Sequence, residues 1–133
     1  MDTSAEYIKM CDDASEVQEL RPENDFKSFY WSETLFNRQG AEKTVICWLP
    51  RQDQLQEMIR SENLWMDLEQ EEGVWSAAWS GQGEIMLRSN FASMEQLWLA
   101  VVMHECYNKA WSTEKEEWVS QSKLPAQNAD RSG

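Results

Sequence analysis

The sequence predicts an α+β fold in a single domain: an antiparallel β-sheet, built from a meander of three strands plus an N-terminal hairpin, with two helices packed on it. Between residues 26 and 91, apolar and polar residues alternate in short runs separated by Gly-containing turns, the pattern of half-buried strands. After Pro50 and after Ser93 the spacing changes to the i, i+3, i+4 pattern of an amphipathic helix. A chain of 133 residues with eight Trp, four Phe and three Tyr can fill one core but not two.

Residues 1–25, MDTSAEYIKMCDDASEVQELRPEND, carry eight acids against two bases and read as an acidic N-terminal arm at the periphery of the body. Within it, Tyr7, Ile8, Met10 and Cys11 are the side chains able to dock, and Val17 with Leu20 suit one helical turn before Pro22. The ordered domain is expected over 26–119. FKSFYWSETLF, NRQG and EKTVICWL read as strand, turn and strand, with Val45, Cys47 and Leu49 on one face and Thr44, Ile46 and Trp48 on the other. Pro50 ends the second strand, and RQDQLQEMIRSEN follows as a short helix burying Leu55, Met58 and Ile59.

The meander comes next. Leu64, Met66 and Leu68 alternate with Trp65, Asp67 and Glu69 up to the turn at 71–73. Trp75, Ala77 and Trp79 then share one side, and a second turn at 81–83 precedes Ile85 and Leu87. Ser93 and Gln96 have the spacing of a capping box and start the main helix, whose buried side is Leu97, Trp98, Val101 and Val102. Lys109 complements its dipole. A small turn over 111–119 returns Trp111 and Trp118 to the body, and 120–133 reads as a disordered tail.

Acids outnumber bases 24 to 12, a formal net charge of -12, which disfavours direct contact with nucleic-acid phosphates and suits a basic partner. Cys11, Cys47 and Cys106 are odd in number, form no CxxC pair and follow no leader-like segment, as expected in the reducing cytoplasm. The longest apolar run, Leu97 to Met103, is too short to cross a bilayer.

The lone histidine, His104, precedes Glu105 as in the helical zinc motif HExxH, but Asn108 stands where the second histidine belongs. A metal site is therefore not expected. Cys106 lies two positions on, roughly 200° around a helix, too far to pair with His104. The expected roles are a buried small side chain for Cys106 and a helix residue bonded near the core edge for His104. Phosphate-binding and nucleophile-elbow motifs are missing, so neither cofactor nor catalytic residue is assigned.

CWLPRQDQLQEMI and SMEQLWLAVVMHECYNKAWSTEKEEWV resemble segments of small proteins from phages and prophages of Gram-positive bacteria. With the element order between them, the region from Phe26 to Val119 is similar to the phage ABA sandwich domain family. That resemblance implies a phage context and no established enzyme chemistry, and the acidic arm lies outside it.

A non-enzymatic, acidic, phage-type inhibitor follows as the leading expectation, one that occludes the basic groove of a host defence nuclease or effector as an anti-CRISPR or anti-restriction nucleic-acid mimic. Its contact residues are expected to be Asp12, Asp13, Glu16, Glu19, Glu69, Glu71 and Glu72, with Trp65 as an anchor. A homodimer is compatible with this reading. The alternatives are a structural phage protein and an oligomeric sponge for a signalling nucleotide, whose phosphates would meet Arg51, Arg60, Arg88 and Lys109. An enzyme would need clustered polar groups in a cleft around His104.

Overall fold

Helix α1 (Ala5–Asp13) starts at Ser4, whose hydroxyl accepts the N–H of Tyr7 at 3.2 Å, and is followed by the single turn α2 (Ser15–Gln18). The computed structural model describes residues 1–22, 28–59, 64–80 and 86–120, without the side chains of Trp65, Ser80 and residues 86–88. The tail expected beyond 120, like Arg60, lies outside the described residues. Tyr7, Met10, Cys11, Ala14 and Val17 are all buried in the main core. The stretch from Tyr7 to Val17, read as part of a peripheral arm, thus contributes side chains to the interior. Asp12 and Asp13 are exposed and Glu6 is half-buried beside the stripe, so a high acid count conceals a complete set of apolar contacts.

Side chains anchor this segment to the body. The Tyr7 hydroxyl donates to the Pro50 carbonyl at 2.6 Å. The Gln18 side chain pairs with the backbone of Trp48: its amide NH2 donates to the Trp48 carbonyl at 2.8 Å and its oxygen accepts the Trp48 N–H at 2.9 Å.

Strands β1 (Phe29–Phe36) and β2 (Glu42–Leu49) form an antiparallel ribbon with Trp31 opposite Cys47 and Phe36 opposite Glu42. Its turn is organised by Asn37, whose Oδ1 accepts the N–H groups of Gln39 and Ala41, and by Gly40 at φ +83°. Pro50 then leads into α3 (Gln52–Met58), shorter than expected because Ile59 is already extended.

Strands β3 (Trp65–Glu71), β4 (Val74–Ser80) and β5 (Met86–Phe91) make the predicted meander, with a register shift between Ala77 and Trp79. Glu72 and Gly73 both have positive φ, the two-residue connection favoured by twisted antiparallel strands.

Helix α4 (Met94–Tyr107) opens at the capping residue expected: Ser93 Oγ accepts the Gln96 N–H at 3.1 Å, although the Gln96 side chain returns to Ala92 N, at 3.3 Å, rather than to Ser93. Gln96, Leu97 and every residue from Leu99 to Met103 are buried, so this helix is enclosed on most sides. It ends at Asn108 in the left-handed region. The small turn predicted next is a true hairpin, β6 (Lys109–Ser112) with β7 (Glu117–Ser120), which pairs Trp111 with Trp118. Lys109 therefore belongs to a strand.

Among the described residues the result is an α+β domain with four helices and the strands divided among three small antiparallel sheets instead of one. Among the described residues no helix is long and apolar enough to cross a membrane.

Asp2 closes the structure at its N-terminal end. Its Oδ2 accepts from Ser93 Oγ at 2.6 Å and Gln96 Nε2 at 3.0 Å, placing a carboxylate at the positive end of α4. Burial raises the pKa of this carboxyl, but hydrogen bonds from Ser93, Ser4 and Gln96 outweigh that and hold it below its ordinary 3.8. A folded-state value below the unfolded one means the contribution is full above the ordinary value and disappears as pH falls through the folded value. Asp2→Asn is expected to cost about 0.3–1 kcal/mol at neutral pH and to flatten the acid limb of stability measured by urea unfolding. An acid limb unchanged by the substitution would contradict this role.

Candidate functional site

A cavity of about 420 Å³ lies among α1, β4, β5, α4 and β6. Gln96, Ala100 and His104 stand four residues apart on α4 and line it as one stripe. Glu6 and Met10 do the same from α1, Trp79 faces them from β4, and Ser89, Asn90 and Phe91 from β5. Lys109, Ala110, Trp111 and Thr113 complete the wall.

The His104 ring is held by its neighbours. The Trp79 Nε1–H donates to His104 Nδ1 at 3.1 Å, with the rings edge to face at 5.8 Å between centroids. Glu105 Oε2 is 2.8 Å from the same nitrogen. One ring nitrogen cannot accept and donate together, and the indole N–H donating to Nδ1 places the ring's own proton on Nε2. His104 is bonded at the core edge, yet it also lines a cavity that spacing alone did not reveal.

Cys106, expected inside, is exposed on α4 with its sulfur 3.7 Å from the Met58 carbonyl. The apolar interior meets the preceding turn of the helix, Leu99 to Met103, leaving this position outside. Cys11 and Cys47 are buried. Burial, then the neighbouring Cys47 sulfur, raises the Cys11 pKa, and burial pushes that of Cys47 up to about 12. Thiolates are the reactive form. A disulfide reagent such as DTNB is expected to label one thiol per folded chain, at Cys106, and all three in denaturant. Rapid labelling of a second thiol in the folded protein would refute the placement. Among the described residues no group of three His, Cys, Asp or Glu side chains is gathered closely enough to hold a metal ion.

The acids expected at a partner surface have different positions. Asp12, Glu19, Glu69, Glu71 and Glu72 are exposed, the last three around the β3–β4 turn. Asp13 is exposed too, but its Oδ2 accepts the Trp118 N–H at 2.8 Å. Glu16 is taken up by Lys109, 2.5 Å away; burial raises its pKa, but the Lys109 hydrogen bond outweighs that and lowers it overall. Asp13 and Glu16 therefore fasten the N-terminal segment to β6 and β7. The Trp65 side chain lies outside the described residues.

A second surface was missed. Beyond its base the β1–β2 ribbon is exposed on both faces. Phe36 is 67% exposed, Ile46 54% and Leu35 46%. Strand register puts Tyr30, Ile46 and Phe36 on one face, and Phe29 and Leu35 on the other. Alternation in the sequence indicated strands; it carried no information on what covers them.

No family model, curated protein or solved structure matches the chain.

Proposed function

We propose that the protein acts by binding, without catalysis, and that its target is a protein with a basic surface of the kind built to hold nucleic acid. The projecting ribbon supplies the apolar contact, and the exposed acids supply attraction over longer range. A single observation carries the reading: among the described residues the exposed aromatic side chains are Phe29, Tyr30 and Phe36, and all three lie with exposed Leu35 and Ile46 on one two-stranded element. Small monomeric proteins seldom keep such side chains together in water unless a partner meets them.

The net charge of -12 narrows the partner. Phosphate backbones are repelled, whereas a nuclease or effector groove lined with Lys and Arg is attracted. The likeness of two segments to phage proteins of Gram-positive bacteria supplies a setting, an anti-defence inhibitor in the bacterial cytosol that occupies such a groove in place of nucleic acid. The nucleotide sponge has less support. Of its four proposed bases, Arg51 is paired with Asp53 and Lys109 with Glu16, while Arg60 and the Arg88 side chain lie outside the described residues.

The test is capture from a Gram-positive lysate with the protein as bait, followed by affinity measurements on the purified partner at low and high salt. The affinity is expected to fall by on the order of tenfold or more as salt rises, and Glu69→Gln with Glu71→Gln and Glu72→Gln to weaken it mainly at low salt. An affinity independent of salt would remove the electrostatic part.

A further inference from the structure

The cavity beside His104 plays no part in that binding role, and its chemistry is specific. Its volume of about 420 Å³ is typical of small-molecule sites, roughly 300–1,000 Å³. Phe91 and Trp111, both partly accessible, give it aromatic walls, with the buried Trp79 behind them. Glu6 is the acid among its lining residues. One oxygen of Glu6, Oε2, accepts the Trp111 Nε1–H at 2.9 Å, which fixes the carboxylate beside an indole. The other oxygen has no hydrogen bond among the described residues.

The positive groups nearby are already matched. Lys109 in the wall gives its charge to Glu16, and Lys9, close enough to Glu6 to interact electrostatically, is paired with Glu116. His104 Nδ1 receives the Trp79 N–H. Among the described residues an anionic ligand would find Glu6 and no uncompensated ammonium group lining the cavity. A cation would find a positioned carboxylate and aromatic faces, the two groups that stabilise an ammonium out of water.

The geometry points to this cavity as a binding site for a small organic cation, an amine or methylated ammonium on a flat apolar body. The inference is independent of the ribbon and its partner. The site selects by charge at Glu6 and by shape at the aromatic walls.

Phenethylamine, 2-phenylethanol and phenylacetate share a ring and differ in charge, so calorimetric titration with the three tests the site. Phenethylamine is expected to bind at least about tenfold more tightly than phenylacetate, with the alcohol between them. Glu6→Gln keeps an acceptor for Trp111 and is expected to remove the preference. Glu69→Gln takes the same charge from the β3–β4 hairpin and is expected to leave it intact. Amide chemical shifts of the unaltered protein, expected to move around Glu6, Ala110 and Trp111 as the amine is added, decide the matter if Glu6→Gln does not fold. Equal or tighter binding of phenylacetate, no binding of the amine, equal loss in both variants, or shifts clustered elsewhere would each overturn the inference.

Discussion

Deleting residues 1–18 is expected to abolish cooperative folding of the remainder. The deletion takes Tyr7, Met10, Cys11 and Val17 out of the core, all of them at most 1% exposed. Emptying a single buried site of that size typically costs about 2–5 kcal/mol, and small domains have only about 5–15 kcal/mol in total. The deletion also leaves the Pro50 carbonyl without the Tyr7 hydroxyl, Trp118 without Asp13, and the backbone of Trp48 without Gln18. Circular dichroism during a thermal ramp is the check. A truncated chain that melts sharply near the midpoint of the full one would mean that the first helices are an appendage after all.

Trp79→Ala is expected to be the most damaging single substitution, costing about 3–5 kcal/mol in urea unfolding. The side chain is fully buried between the meander and α4, and its indole N–H holds the His104 ring. Two contributions can be separated. Trp79→Phe keeps most of the apolar volume and removes the donor, so its cost should be nearer 1 kcal/mol, partly shared with His104→Ala in a double-mutant cycle. Additive losses in that cycle would mean that the two rings do not support each other.

These two effects mark where the sequence was legible. Ser93 and Gln96 announced the start of α4 because capping is a local matter, decided within four residues. The β3–β4 turn was visible for the same reason: Gly73 meets a backbone demand for positive φ. In α1 and α2 the spacing Tyr7, Met10, Cys11, Ala14, Val17 is just as helical, but eight acids in 25 residues pointed to a solvated arm. Spacing was the stronger signal there, since acids on one face do not prevent burial of the other.

The functional surfaces were less legible because they depend on tertiary neighbours. Glu6, Trp79, His104 and Trp111 are far apart in the chain and converge only when α1 crosses β7 and α4. Nothing near Phe36 or Ile46 specifies whether a third strand will pair beside them. Asp13 and Glu16 resemble Asp12 and Glu19 in composition, yet one pair fastens the fold and the other faces solvent. Charge content described the surface as a whole without separating those roles.

The ribbon decides between a stabilising and a recognising use of its apolar side chains. Phe36→Ser combined with Ile46→Ser should be compared with the unaltered chain in both thermal unfolding and capture of the basic partner. Exposed side chains add little to stability, so the midpoint is expected to stay within about 2 °C while capture is lost. A midpoint lowered by many degrees with capture intact would show that the ribbon serves the fold and that recognition lies elsewhere.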